Sequence, residues 1–212
     1  MNYDDIAAGE IKGSLTLLWV DETQRGSGDG TFVFVPNKDP LRMERHDPRA
    51  TVPEIRPQIM YTDGGSIPKA AQALKGFSPW GYAPAYMLHD WLFVARKCLN
   101  DNDATAEEQK MESVTFKESV RIAVEAIKGL EDKGTVTANP IAPRVIAAAI
   151  SSGISYRLWN EKGACKKNRI KPKHLGQIDK ALPGLIDRKL LPADRFDKST
   201  QPAKIITTFS FD

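Results

Sequence analysis

A histidine and an aspartate stand side by side in an apolar stretch near the middle of the chain, at His89 and Asp90. The pKa of an imidazole lies near neutrality, so it can take a proton from water, and a carboxylate can bind a hard cation. Enclosing even a neutral polar group without a partner costs about 2–7 kcal/mol. The pair therefore marks a candidate site for binding or catalysis.

A polar loop between hydrophobic flanks lies upstream, where Asp63 is followed by two glycines, Ser66 and Pro68. Glycines adopt positive φ and let the backbone come close to a ligand, so the loop can turn amide or carbonyl groups inward as a cradle for an ion. We predict that this loop meets the His89–Asp90 pair and that both form one site. A tight turn in which Asp63 caps its own loop is the alternative.

The predicted catalytic residues are His89, as general base, with Asp63 and Ser66 from the loop, while Asp90 is the predicted metal ligand. Neighbours in a helix point about 100° apart, so the histidine and the aspartate can serve one cavity in different roles. Both share a helix face with Tyr86. A hydrogen-bonded pair that only locks the helix to the loop inside the core is the structural alternative.

The bulk properties are those of a globular protein. The 212 residues are 41% hydrophobic and 27% charged, enough for one domain or for one domain with an extension. A net charge of +3 is too small to indicate a nucleic-acid or membrane partner. The N-terminus is acidic and unlike a secretory signal, and no apolar run reaches the ~20 residues of a transmembrane segment. We therefore expect a cytoplasmic protein with free thiols at Cys98 and Cys165.

Hydrophobic patterning predicts an α+β fold, with a small N-terminal antiparallel sheet followed by a helical bundle. The predicted strands are 14–20 and 31–35, joined as a hairpin, a short strand at 59–61 that delivers the Asp63 loop, and an edge strand at 205–211. The predicted helices are 84–98, 112–131 and 143–162, with a weaker amphipathic segment at 174–191 and irregular chain over 36–57. Residues 1–162 are predicted to form one domain, and residues 163–212 a basic linker and C-terminal extension.

Five basic residues and no acid fall within residues 166–173. Such a cluster could follow a phosphate backbone, but it lacks the interleaved aromatic residues of a single-strand binding platform. A solvated, mobile linker is the favoured interpretation, and nucleic acid is not an expected partner. His46 and His174 lie in polar surroundings and are predicted to be surface residues.

Residues 62–68 (TDGGSIP), 81–82 and 85–93 (AYMLHDWLF) resemble two sequence blocks of the phage and bacterial family called domain of unknown function 1353. The family pattern is roughly a Thr-Asp-x-x-Ser-Val-Pro loop and an Ala-x-x-x-His-Asp-x-Leu-Tyr helix. Residues 153–159 resemble its closing segment, so that the resemblance covers about residues 13–162. It implies an origin in a phage or prophage, and it implies no activity.

The helix that carries His89 and Asp90 is also similar to the catalytic helix of the phospholipase A2 group. That similarity implies that His89 activates water, that Asp90 binds calcium, and that carbonyl groups near Asp63 assist. Phe93 stands where the group usually has tyrosine, and Val120 stands where it has the acid that orients the histidine. An ester or other acyl substrate is expected through this similarity alone.

Two functions follow as hypotheses. The first is a phage-derived hydrolase with a His–Asp site, acting on a small-molecule or lipid-like substrate and assisted by a divalent cation such as calcium. The second is a non-enzymatic virion accessory or interaction protein in which the pair is structural. Exposure distinguishes them, because a site must reach a cleft, whereas a structural pair is enclosed with every polar atom paired. The sequence does not indicate an oligomeric state.

Overall fold

The structure is a computed structural model that describes residues 3–21, 30–63, 81–137, 139, 141–186 and 201–211. Its N-terminal half is an antiparallel sheet with strands in the order β4-β3-β1-β2-β5, and a C-terminal strand β6 also pairs with β1. The strands are β1 (Glu10–Asp21), β2 (Gly30–Pro36), β3 (Arg42–Glu44), β4 (Glu54–Ile55), β5 (Met60–Thr62) and β6 (Lys204–Phe211). The helices that follow complete the α+β fold predicted from the sequence.

The described helices are α1 (Ala83–Asn100), α2 (Ala106–Gln109), α3 (Phe116–Asp132), α4 (Ala142–Ile150), α5 (Gly153–Trp159), α6 (Cys165–Asn168) and α7 (Pro172–Ala181). The prediction of 84–98 is confirmed by α1. The prediction of 112–131 began too early, since Thr115 caps α3 through its side chain. The single helix predicted over 143–162 was wrong, because Ser152 caps a new helix and divides the segment into α4 and α5.

Strand β1 organises the sheet because it changes partner along its length. It pairs with β3 over Glu10–Lys12 and with β6 from Gly13 onward, while β2 lies on its other side. Gly13 marks the change of partner, with φ of 79° and a Cβ position that would come within 2.2 Å of the Pro40 carbonyl oxygen. Only glycine fits this close approach. The predicted hairpin and edge strand are both confirmed, whereas residues 36–57 contain β3 and β4 and are less irregular than expected.

Side chains alternate between two cores along the sheet, as the period of two in a β-strand requires. One face, including Leu15 and Phe34, packs in the same core as α1 and α3. The opposite face, including Leu18 and Val33, packs with Ile178 of α7. The sheet is therefore covered by helices on both faces, and the larger core lies on the α1 side.

Cys98 in α1 and Cys165 at the start of α6 form a disulfide. The expectation of two free thiols was therefore wrong. Sequence spacing alone could not reveal the bond, because 67 positions separate the two residues. The carboxylate of Asp101 accepts hydrogen bonds from the amides of Gly163 and Cys165, at 2.6 and 2.9 Å, and so holds α6 against the end of α1.

The chain beyond residue 162 continues into ordered elements. The basic stretch 166–173 forms α6 and the first turn of α7, and Arg169 pairs with the buried carboxylate of Glu108. His174 is 1% exposed and makes a 2.8 Å hydrogen bond with the Tyr61 hydroxyl, so its prediction as a surface residue was wrong. His46 is exposed, as expected. The division of the chain at residue 162 stays a prediction.

A buried ion cluster ties α3 to the sheet. The guanidinium of Arg45 donates to both carboxylate oxygens of Glu125, at 2.7 and 3.0 Å, and to Glu118 at 2.7 Å. The Arg45 side chain is fully buried, and that of Glu125 is 2% exposed. Removing one partner from such a cluster leaves an uncompensated charge in the core.

We expect Arg45→Ala to lower the free energy of unfolding by about 3–5 kcal/mol, because Glu125 would stay buried without its cation. Arg49→Ala is the matched control, since the Arg49 side chain is 72% exposed in its pair with Asp47 and such pairs contribute about 0–1 kcal/mol. Urea denaturation followed by far-ultraviolet circular dichroism measures both. Equal losses in the two variants would contradict a structural role for the cluster.

The disulfide predicts a thiol count and a stability difference. Protein purified without reductant should show no reactive thiol when unfolded, and two after reduction. The double variant Cys98→Ser, Cys165→Ser should be less stable by about 2–5 kcal/mol, because the unfolded chain loses a long covalent loop. Two reactive thiols in the unreduced, unfolded protein would overturn the assignment.

Candidate functional site

The segment that contains His89 folds as the central helix of the larger core. Pro84 lies in the first turn of α1, where its missing amide hydrogen costs no hydrogen bond. Most of the helix circumference is buried, and α1 contacts α3, α5, α6 and β5. Polar groups on this helix are therefore placed inside the protein by the apolar residues on either side of them.

Strand β5 brings the predicted loop to the same region. It pairs with β2 and contacts α1, as predicted for a third strand, and Asp63 follows directly after its last residue. Asp63 is exposed. Ser66, the third predicted catalytic residue, lies outside the described residues.

The His89 ring is held in an aromatic wall. Its centroid lies 4.9 Å from that of Phe93, and Phe93 makes an edge contact with Trp159 of α5 at 5.1 Å. The guanidinium of Arg96 covers the Trp159 ring at 4.9 Å and donates to the Glu112 carbonyl at 2.9 Å. The imidazole plane is thus fixed by packing from one side.

The two ring nitrogens of His89 have different surroundings. Nδ1 lies 3.9 Å from Oδ1 of Asp90, which is within ion-pair distance and longer than a hydrogen bond. Nε2 is buried, and it has no hydrogen-bond partner in the part of the chain that the structure describes. An unpaired buried polar atom costs about 1–3 kcal/mol, so native proteins keep few of them.

The carboxylate of Asp90 is partly open, with its side chain 35% exposed. Burial raises the pKa of Asp90, the nearby imidazole of His89 opposes that rise, and the negative charge of Asp63 adds to it. Asp63 directly follows β5, a strand that contacts α1. The structure thus holds His89 and Asp90 together and places Asp63 at the end of a strand beside the same helix.

A tyrosine hydroxyl belongs to the same neighbourhood and was not predicted as a site residue. Tyr86 is 7% exposed, and its hydroxyl has no hydrogen-bond partner among the described residues. Burial raises the pKa of Tyr86, and the charges of Tyr82 and Asp90 add to the effect. The signal was in the sequence, because Tyr86 precedes His89 by three positions and Asp90 by four, which is the spacing of one helix face.

Comparisons with protein-family models, curated proteins and solved structures find no match for this chain. The resemblances to the phage and bacterial family and to the phospholipase A2 group stay predictions. The geometry of the site is what bears on its function.

The calcium site that the phospholipase similarity implies consists of Asp90 and backbone carbonyls near Asp63, and residues 64–68 of that loop lie outside the described residues. Within ranges 3–21, 30–63, 81–137, 141–186 and 201–211, no three histidine, cysteine or carboxylate side chains are grouped so that they could hold one metal ion. Asp63 and Asp90 influence each other by charge without forming such a group. The metal-ligand role of Asp90 stays a prediction, and no step of the chemistry below uses a metal.

A cleft of about 260 Å³ lies elsewhere, where the N-terminal chain passes α3. Its polar lining comes from Glu10, His46, Asp132 and Lys133, and no predicted site residue takes part. The cleft exists because Gly129 lets the backbone of Gly9 approach, as a Cβ at Gly129 would lie 2.1 Å from the Gly9 carbonyl oxygen. We attribute it to this backbone crossing, since none of the buried side-chain polar atoms without a partner among the described residues belongs to a residue that lines it.

The raised pKa of Asp90 has a consequence for stability. The folded chain holds the Asp90 proton more tightly than the unfolded chain, in which the pKa of Asp90 lies near 3.8. Ionised Asp90 therefore reduces stability above the folded-state pKa, and this penalty disappears as the pH falls below the unfolded value. We expect Asp90→Asn to be more stable than the parent protein near pH 7, by an amount that shrinks as the pH is lowered toward 4.

Urea denaturation midpoints across this pH range measure the difference, with the exposed Asp5→Asn as control. Asp5→Asn should follow the parent protein at every pH. A loss of stability in Asp90→Asn near pH 7 would show instead that the carboxylate stabilises the fold through His89.

Proposed function

We propose that the protein is a hydrolase in which His89 acts as general base on a water molecule that attacks an acyl ester. The observation that carries the proposal is the asymmetry of the imidazole: Nδ1 faces the Asp90 carboxylate, and Nε2 is buried without a partner among the described residues. A structural His–Asp pair would have both nitrogens satisfied and both side chains enclosed. Asp90 is instead 35% exposed.

The chemistry follows the general logic of a histidine oriented by a carboxylate. With its proton on Nδ1, the imidazole presents the lone pair of Nε2 as the base. Nε2 takes a proton from water as the water oxygen bonds to the acyl carbon, and it returns that proton to the alkoxide as the ester bond breaks. Asp90 stabilises the imidazolium between these steps.

The distance of 3.9 Å between Nδ1 and Asp90 must shorten by about 1 Å to make a hydrogen bond. Catalytic hydrogen bonds are often long before substrate binds and tighten in the complex. The aromatic wall of Phe93 and Trp159 fixes the ring plane, so a small rotation of the Asp90 side chain is sufficient. The negative charge of Asp63 also acts on Asp90 and raises its pKa.

The choice of an acyl ester rests on the similarity of the α1 segment to the phospholipase A2 helix. The phage or prophage origin rests on the resemblance of residues 62–68 and 85–93 to the phage and bacterial family. The cytoplasmic location is part of the same proposal. In the part of the chain that the structure describes, no helix is long and apolar enough to cross a bilayer.

A virion accessory or interaction protein is the second candidate, and two observations favour it. The Cys98–Cys165 disulfide is of a kind that persists in oxidising surroundings such as virion surfaces, and is uncommon in a reducing cytosol. Helices α4 and α5 also expose large apolar side chains, with Ile154 66% and Tyr156 56% exposed. Several exposed large apolar side chains within one short stretch of chain are typical of interaction sites.

Substitution of His89 tests the proposed hydrolase. We expect His89→Ala and His89→Gln to lower kcat/KM on p-nitrophenyl acetate and p-nitrophenyl butyrate by about 10²–10⁴-fold, the usual contribution of a general base. Because Nε2 is unpaired, the glutamine variant should keep the thermal midpoint of the parent protein within a few degrees. Rates and melting curves on the same preparations measure both effects.

His46→Ala is the control, since His46 is an exposed histidine away from the α1 site. It should keep the parent activity. Unchanged hydrolysis in both His89 variants would overturn the proposal. A large loss of stability in His89→Gln with no hydrolysis by the parent protein would favour the second candidate, in which the pair is structural.

A further inference from the structure

We propose that the Tyr86 hydroxyl binds the substrate, by donating a hydrogen bond to the carbonyl oxygen of an uncharged acyl group next to His89. This inference rests on the proposed hydrolase function and adds a binding residue to it. It comes from the combination of an unpaired buried hydroxyl with its place on α1, one helical turn before the His89–Asp90 pair.

The hydroxyl is enclosed without a partner that would explain it as a structural group. In the part of the chain that the structure describes, five buried side-chain polar atoms have no hydrogen-bond partner. Two of them, Tyr86 Oη and His89 Nε2, lie within a single turn of α1. Each of these atoms lowers the stability of the fold, and a ligand bound to both would remove that cost.

The placement of the two groups fits one ligand. Residues three positions apart on a helix have their Cβ atoms about 5–6 Å from each other. The Tyr86 ring packs toward the start of α1 against Tyr82, at 6.4 Å between centroids, and the His89 ring packs toward its end against Phe93. Asp90, four positions after Tyr86, shares this helix face, and its side chain is 35% exposed.

The neighbouring tyrosine shows what a structural hydroxyl looks like on this helix. Tyr82 is also buried, but its hydroxyl donates to a carboxylate oxygen of Glu131 at 3.2 Å. Tyr82 thus has an internal partner. Tyr86 lies four positions later on the same helix face, and its hydroxyl has no hydrogen-bond partner among the described residues. The comparison supplies a matched control for the experiment.

The chemistry of the site selects an uncharged oxygen as the acceptor. Burial keeps the Tyr86 hydroxyl protonated, so it can donate a hydrogen bond to an acceptor on the ligand. The negative charge of Asp90 acts on this hydroxyl, and the same charge would repel an anionic group such as a phosphate. The carbonyl oxygen of an ester accepts a hydrogen bond and carries no net charge. It gains negative charge as water attacks, and this strengthens the hydrogen bond in the transition state.

The test compares Tyr86→Phe with Tyr82→Phe, using p-nitrophenyl acetate and p-nitrophenyl butyrate as neutral probes and p-nitrophenyl phosphate as the anionic one. Tyr86→Phe should lower kcat/KM on the neutral esters by about 10–100-fold, somewhat less than the loss of an oxyanion donor in a deep site. Its thermal midpoint should stay equal or rise, because the variant removes a hydroxyl that had no partner. Tyr82→Phe should keep kcat/KM and melt at a lower temperature, because Glu131 loses a donor.

The outcomes separate this inference from the function on which it rests. If His89→Gln abolishes hydrolysis while Tyr86→Phe leaves kcat/KM unchanged, the hydroxyl does not bind substrate and the hydrolase proposal stands. If Tyr86→Phe melts at a lower temperature and hydrolyses at the parent rate, the hydroxyl is structural. Faster cleavage of the phosphate than of the neutral esters overturns the assignment of an uncharged acceptor. Hydrolysis that does not depend on His89 overturns both proposals.

Discussion

The enclosure of α1 is the constraint on which the rest of the structure depends. This helix is packed by α3, α5, α6 and β5, so that 11 of its 18 residues are buried and the other seven are half-buried. In such a position a polar group is either paired inside the protein or raises the free energy of the fold. Tyr82 is paired with Glu131, whereas the hydroxyl of Tyr86 and Nε2 of His89 have no partner among the described residues.

The fold must offset that cost elsewhere, and two features beside α1 are suited to do so. The buried Arg45 cluster joins α3 to the sheet through charge-assisted hydrogen bonds, which are about twice as strong as neutral ones. The Cys98–Cys165 disulfide joins the end of α1 to α6. Both act away from the His89 turn, so the scaffold is held rigidly while the polar turn stays unsatisfied. Functional sites commonly have this distribution of stability.

Much of the fold could be predicted because its signals are local. Two runs rich in β-branched and aromatic residues on either side of a Gly-rich turn predicted the β1–β2 hairpin, and Pro84 followed by an apolar run predicted α1. The errors arose where a partner lies far away in the sequence or a capping residue was overlooked. His174 is polar in its local context, yet Tyr61, 113 positions earlier, pairs with it in the interior. Thr115 caps α3 and stands three positions before Glu118, which is a readable signal, whereas Ser152 caps α5 and stands before Ser155, without the acid of that pattern.

The site could be predicted in part for the same reason. Adjacent His89 and Asp90 in an apolar helix indicated polar groups inside a core, and a short strand before Asp63 indicated that the loop would come to that helix. Sequence patterns did not reveal which ring nitrogen faces the carboxylate or that Tyr86 lacks a partner among the described residues, because both depend on side-chain packing between elements.

The imidazole of His89 is held asymmetrically. Its Nδ1 lies near a partly exposed carboxylate, whereas its Nε2 is buried and has no hydrogen-bond partner among the described residues. A pair that existed only to join helix to loop would gain nothing from that asymmetry, whereas a general base requires it, since one nitrogen must be oriented and the other must be free to take a proton.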